Sequence, residues 1–153
     1  MLIFKALHIL SMFTMVAVFI GGEMFYAIAI RGRDVHALAW LHRIRRPIGA
    51  VAFAAMAAGI VFGLLTAATG GMDFLEGWLL VAYLLLGVFV LNGAVNERPT
   101  SRLAERAVEA EAGLRPVDEV VRDMASDRRA MLLFVINATI FAAIILDMVL
   151  KPF

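Results

Sequence analysis

The chain has no cysteine among its 153 residues. This absence excludes disulfides, thiolate metal sites, iron–sulfur clusters and covalently attached c-type haem. Charge is also scarce, since charged residues make up 18% of the chain against about 25% in typical soluble domains. The sequence contains no phosphate-binding loop, zinc-ligand spacing or nucleophile triad, and a net charge of +1 gives no reason to expect a nucleic-acid partner. These deficits argue against a water-soluble enzyme.

Apolar residues are what the sequence has in quantity, at 63% of the chain with a mean hydropathy of +0.90. They fall into four blocks, each close to the length of about 20 residues that crosses a hydrocarbon core of about 30 Å. The blocks cover about residues 2–30, 48–69, 78–96 and 130–150. Pro47 suits the first turn of the second helix. The sequence therefore predicts a single all-α domain over residues 1–153, a four-transmembrane-helix bundle in the lipid bilayer.

The arginines are concentrated between alternate blocks. Five lie in residues 31–46 and seven in residues 97–129, whereas the other side carries only Lys5 and Lys151. Cytoplasmic loops of membrane proteins are enriched in Lys and Arg. We therefore expect a multi-pass protein of the inner (plasma) membrane, with both termini outside and residues 97–129 in the cytoplasm.

The charged segment 97–129 is the part of the chain with a pattern typical of folding in water. Its apolar residues recur at helical spacing on either side of residues 113–116, which predicts two short amphipathic helices. Eight acids balance its seven arginines, so the segment is a poor anchor for anionic lipid. We expect a solvated connector or a docking surface.

His8 is the candidate for binding a cofactor, because a neutral imidazole inside a helical bundle is a usual axial ligand of b-type haem. Asp147 is predicted at a similar depth on the last helix and is a candidate to fix the imidazole tautomer from the second shell. Met12, Met15, a partner chain or nothing would supply the second axial ligand. The alternative is a purely structural His8, with Asp147 paired to Lys151 four residues later.

A second set of polar residues is predicted inside the membrane, closer to the arginine-rich side than His8. Glu23, Asn92 and Asn137 come from three helices at comparable depth and are expected to form a buried polar layer. The layer is either structural, or Glu23 takes part in proton transfer or substrate binding. Gly59 and Gly63 form a small-residue helix-packing face, which serves contact within the bundle or between chains.

Four short motifs resemble those of a known family. They are Phe4-Lys5-Ala6-Leu7-His8-Ile9, Gly21-Gly22, Trp78-Leu79-Leu80 and the terminal Lys151-Pro152-Phe153. Together they resemble the HemJ-type protoporphyrinogen oxidases and CopD-like membrane domains, and the integral membrane proteins of unassigned activity that share this four-helix layout. The resemblance covers essentially the whole chain. It implies a haem b held by the histidine of the first helix, here His8, and an oxidation of protoporphyrinogen IX.

Two functions stay open at this point. The first is a small haem b-binding oxidoreductase or redox carrier, which His8 and the family-like ends favour. The second is a non-catalytic accessory subunit or assembly factor of a larger membrane complex. Three features favour this second function: the small number of polar residues in the membrane spans, the small-residue face at Gly59 and Gly63, and the charged segment. The expected partners are a second copy of the chain, in a homo-oligomer, or other membrane subunits.

Overall fold

The computed structural model describes residues 2–150, and every regular element in that range is an α-helix. Four of the helices, α1, α2, α3 and α5, are long and apolar enough to cross a membrane, so the predicted all-α fold with four spans is confirmed. The five helices are α1 (Leu2–Gly32), α2 (Val35–Gly70), α3 (Gly77–Glu111), α4 (Val117–Ser126) and α5 (Arg129–Leu150). The terminal Lys151-Pro152-Phe153 motif lies outside the described residues.

Helix α2 begins well before the predicted span. Asp34 is its N-cap and accepts a hydrogen bond from the backbone N–H of Ala37 at 2.9 Å. The 36 residues of α2 make a rod of about 54 Å, longer than a hydrocarbon core of about 30 Å. The expectation that Pro47 opens this helix is therefore wrong, because Pro47 lies inside it. The cap at Asp34 and the complete burial of Leu38 and Ala39 start the helix at the α1–α2 turn.

Helix α3 also continues past its apolar part. It runs through Pro99 to Glu111, so the first predicted amphipathic helix is the end of α3. Next to the proline, Thr100 Oγ1 donates to the carbonyl of Asn96 at 2.8 Å, a bond within the same helix. The predicted break is found at residues 112–116, where Gly113 adopts a φ of 73°. We call residues 97–126, the end of α3 together with α4, the charged cap.

The charged cap packs against the ends of α1 and α2 and forms a hydrophobic core with them. The segment is therefore not only a solvated connector, since its apolar stripes are buried against this end of the bundle. The most deeply buried members of this core are Leu38, Ala39, Ala107, Val120 and Met124.

Charged side chains fix where the cap sits. Glu111 accepts hydrogen bonds from His36 Nδ1 at 2.6 Å and from Arg43, which joins the end of α3 to the start of α2. The His36 hydrogen bond, with that of Arg43, holds the pKa of the Glu111 carboxyl below its usual value. Arg115 bridges Glu109 and Glu119 at 3.0 and 2.9 Å, and so clamps the turn between α3 and α4.

A second core lies between the apolar parts of the helices. Phe89 stands at its centre and contacts the rings of Phe19 and Phe141, with centroid separations of 4.7 Å in both pairs. Met15 is buried beside them. Large apolar side chains elsewhere on the four long helices are exposed, as expected for surfaces that face lipid.

Candidate functional site

Four polar side chains from three helices form a continuous hydrogen-bonded chain. Asn137 Nδ2 on α5 donates to Glu23 Oε1 on α1 at 2.5 Å. Asn92 Nδ2 on α3 donates to Asn137 Oδ1 at 2.9 Å, and Asn96 Nδ2 donates to Asn92 Oδ1 at 3.0 Å. Asn137, the central member, has no exposed surface. The structure thus brings Glu23, Asn92 and Asn137 together and adds Asn96.

Glu23 and Asn137 also line a cavity of about 780 Å³ between α1, α2, α3 and α5. One part of the cavity is apolar, with Met15, Phe19 and Phe89 on its walls. Since Met15 and Glu23 are eight residues apart on α1, these two parts are separated by about 12 Å along the helix. The cavity is therefore amphiphilic, with its polar part toward the charged cap.

Helix α2 supplies the polar wall opposite Glu23, through His42, Arg45 and Arg46. Arg45 forms an ion pair with Glu97 and donates to Ser101 Oγ in the charged cap. Arg46 has no ion-pair or hydrogen-bond partner among residues 2–150, and its guanidinium is available to a ligand.

Two buried polar atoms on the cavity-lining side chains lack a hydrogen-bond partner in the described part of the chain. They are Glu23 Oε2 and His42 Nδ1, and the third such atom in residues 2–150 is Asp147 Oδ2. An unpaired polar atom away from water costs free energy unless a ligand or solvent satisfies it. Since two of these three atoms belong to residues that line one cavity, this cavity is the candidate binding site.

Sequence reasoning missed His42 and Arg46 as site residues because it placed them in a loop ahead of Pro47. A signal was present. His42, Arg46 and Gly49, followed by Ala52 and Met56, recur at intervals of three or four residues, which is the spacing of one helical face. All five line the cavity. A helix extended upstream of Pro47 would have placed the histidine and the arginine on that face.

His8 lies at the other end of the bundle and does not line the cavity. Its Nδ1 donates to the carbonyl of Gly59 on α2 at 2.7 Å, since a carbonyl oxygen only accepts. The Nδ1 partner is thus Gly59 and not Asp147. Asp147 is 9% exposed, and its alternative pairing with Lys151 falls outside residues 2–150.

Gly59 and Gly63 are in contact with α1. A Cβ at Gly59 would lie 2.5 Å from Met12 Sδ, and one at Gly63 would lie 3.0 Å from the His8 ring. Of the two uses left open by the sequence, contact within the bundle is therefore the one that the structure contains. This close approach also explains how His8 reaches a backbone carbonyl of the neighbouring helix.

The arrangement around His8 meets one requirement of a haem ligand. A ligating imidazole typically donates its second nitrogen to a carbonyl or carboxylate, and Nδ1 of His8 does so. The cavity of about 780 Å³ between the four long helices is lined by other residues and not by His8. Among residues 2–150 there is also no group of three His, Asp or Glu side chains arranged to hold a metal ion directly.

The long apolar helices and this internal polar layer define a helical integral membrane protein with an amphiphilic cavity. Residues 2–152 match the family described as "Predicted integral membrane protein (DUF2269)", and the chain belongs to this family. No curated protein and no solved structure matches the chain. The family assignment supports the membrane class, and the relation to HemJ-type and CopD-like proteins stays a prediction.

Replacing Asn137 by leucine tests the polar layer. The leucine fills a similar volume but donates nothing to Glu23 Oε1, so a buried carboxylate loses its partner. We expect the free energy of unfolding in mild detergent to fall by about 1–3 kcal/mol, more than the average of about 0.6 kcal/mol for one interhelical hydrogen bond. Thr139→Val is the control on the same helix, because Thr139 bonds only its own helix backbone. Equal stability of the two variants would contradict a contribution from the layer.

Proposed function

We propose that this integral membrane protein binds an amphiphilic molecule in the cavity between α1, α2, α3 and α5. The observation that carries the proposal is the pair of unpartnered buried atoms, Glu23 Oε2 and His42 Nδ1, on the lining of one cavity. A polar group of a ligand that bonds to these atoms would remove their desolvation penalty. The free guanidinium of Arg46 lies on the same wall and adds a strong donor.

The apolar part of the cavity supports an amphiphile rather than a small polar solute. Phe19, Phe89 and Met56 offer only hydrocarbon, ring and thioether surface. A volume of about 780 Å³ lies within the range of about 300–1,000 Å³ typical of small-molecule sites. Such a volume holds a polar head together with the first part of a hydrocarbon chain.

Two exposed apolar residues of α2 are part of the cavity lining. Phe53 lines it and is 67% exposed, and Ile48 lines it and is also exposed. On a membrane-spanning helix this surface faces hydrocarbon. A ligand would therefore reach the site from the bilayer and leave its chain in lipid.

Gly93→Leu tests the proposal by filling the cavity. Gly93 lines the cavity and a Cβ there meets nothing within 4 Å, so the leucine projects into free space. Steric overlap with a ligand, at a cost of about 1–3 kcal/mol, would weaken its binding about 5- to 150-fold. The amount of co-purifying amphiphile, measured by mass spectrometry of the purified protein, should fall accordingly. Gly87→Leu is the matched control, since Gly87 is on the same helix, is equally open and does not line the cavity. Equal amounts in both variants would refute the proposal.

Haem b binding at His8 is the second candidate function, in an oxidoreductase or redox carrier. The observation that favours it is the Nδ1 bond to the carbonyl of Gly59, which orients the ring and leaves Nε2 free to bind iron. The porphyrin would then lie against the α1–α2 pair and not in the cavity. When bound, haem would supply one-electron chemistry.

For haem, the expected result is a Soret band in the purified protein that is lost in His8→Ala. His42→Ala is the control, because His42 lies at the opposite end of the bundle and should leave the band unchanged. Both spectra are recorded on samples with the same helical content by circular dichroism. A colourless, folded wild-type protein in cells supplied with haem precursors would rule out this function.

The accessory-subunit function rests on the surface of the charged cap, which carries seven exposed charged residues: Glu97, Arg98, Arg102, Glu105, Arg106, Asp118 and Arg122. The small-residue face at Gly59 and Gly63 supports this function less than the sequence indicated. Both glycines contact α1 and so offer no free face to another subunit. Ligand binding has direct support from the cavity and is therefore the function we favour.

We also infer that the charged cap lies in the cytoplasm and both termini outside, in the inner (plasma) membrane. The α1–α2 turn and the cap pack into one core at the same end, so the two arginine-rich segments share one side.

Cysteine labelling tests this orientation, because the chain has no cysteine of its own. Leu114 in the cap is 80% exposed, and Leu75 between α2 and α3 is 73% exposed. In intact cells an impermeant maleimide should label Leu75→Cys and leave Leu114→Cys unlabelled until the membrane is opened. Labelling of Leu114→Cys but not of Leu75→Cys in intact cells would show the opposite orientation and contradict this inference.

A further inference from the structure

We propose that the amphiphile is a quinol, a neutral aromatic ring with two hydroxyl groups and an isoprenoid tail. This inference rests on the proposed function and specifies the ligand of the same cavity. The argument uses the charge of the cavity lining, the hydrogen-bonding character of its unpartnered atoms and the shape of its apolar part.

The formal charges on the cavity lining cancel. Arg45 is paired with Glu97 in the charged cap, which leaves Glu23 and Arg46 as one acid and one base. A lining with no net charge does not select an anionic head, and an anion near Arg46 would also lie near the Glu23 carboxylate. The charge balance therefore favours a head group that is polar and neutral.

Glu23 Oε2 and the Arg46 guanidinium together call for a ligand that both donates and accepts. Asn137 already donates to Glu23 Oε1, so Oε2 is the acceptor that a ligand must supply with a proton. On α2 the guanidinium of Arg46 can only donate. A hydroxyl at one end of a ring donates to Glu23 Oε2, and the oxygen at the other end accepts from Arg46. An ionised carboxylate or a phosphodiester group by itself offers acceptors only and leaves Oε2 without a donor.

The apolar part of the cavity suits a flat ring. Phe19 and Phe89 stand edge to face with centroids 4.7 Å apart, and the thioethers of Met15 and Met56 lie on the same lining. Aromatic rings pack well against other rings and against sulfur. The exposed flank at Ile48 and Phe53 gives a branched hydrocarbon tail a path into the bilayer.

The experiment compares three probes on the full chain in phosphatidylcholine nanodiscs. The probes are decylubiquinol, its oxidised form decylubiquinone, and oleate as an anionic amphiphile. Binding is counted by native mass spectrometry against empty nanodiscs. We expect saturable binding of decylubiquinol, weaker binding of decylubiquinone and the weakest binding of oleate. Tighter binding of oleate than of decylubiquinol to the wild-type protein would overturn the quinol inference, and no variant is needed for this test.

Variants assign the hydrogen bonds. Glu23→Gln should weaken decylubiquinol about tenfold while decylubiquinone changes little, because the charged acceptor is needed only by the hydroxyl form. Arg46→Gln should weaken both forms about tenfold. Arg43→Gln is the control, since Arg43 is close in sequence but faces Glu111 outside the cavity. Loss of selectivity for the reduced probe in Arg43→Gln, or its retention in Glu23→Gln, would contradict the assigned roles.

Failure of this inference is distinguishable from failure of the proposed function. If Gly93→Leu removes a co-purifying amphiphile and neither decylubiquinol nor decylubiquinone binds, the cavity binds a ligand and the quinol assignment is wrong. If Gly93→Leu changes no amphiphile at all, the quinol assignment falls with the proposed function.

Discussion

The continuity of α2 from Asp34 through Pro47 determines the polar end of the cavity. An interior proline costs a helix about 3 kcal/mol. The N-cap at Asp34, worth about 1 kcal/mol, and the burial of Leu38, worth about 1.5–3 kcal/mol, are enough to offset that cost. Because the helix does not break, its membrane part and its polar part form one rod. His42 and Arg46 therefore line the same cavity as Glu23, on the same helix that carries Gly59 and Gly63.

The charged cap makes this arrangement possible from the other side. Ion pairing of Arg45 with Glu97, and of Arg43 with Glu111, neutralises two of the three arginines near the start of the cavity. Arg46 is left without such a partner among residues 2–150. The cap is thus more than a connector between α3 and α5, because its acidic residues pair with Arg43 and Arg45 and leave Arg46 without an ion pair in the described residues. Tyr26, which donates to the carbonyl of Thr100 at 3.3 Å, fixes α1 to the same cap.

Depth and periodicity were sufficient to find part of the site from sequence. Glu23, Asn92 and Asn137 were expected at one level of the membrane from the rise per residue alone, and the structure joins them by hydrogen bonds. The same reasoning could not find the partner of His8, because the Gly59 carbonyl is a backbone group with no sequence signature. It also missed His42 and Arg46, because a proline was taken as a helix start when buried residues upstream of it extend the helix.

The histidines at the two ends of the bundle, His8 and His42, have different hydrogen-bonding environments, and this difference is relevant to function. The His8 ring is fixed by a backbone carbonyl at Nδ1 and by close contact at Gly63, so one side of it is already committed to the protein. His42 Nδ1 is buried beside a cavity without a partner in the described residues. The fixed ring of His8 suits a metal ligand or a packing role. The unpartnered Nδ1 of His42 would gain a hydrogen bond if a ligand bound in the cavity. Glu23 Oε2 also lacks a partner in the described residues, so the ligand that we propose would satisfy an atom on α1 and an atom on α2 at the same end of the bundle.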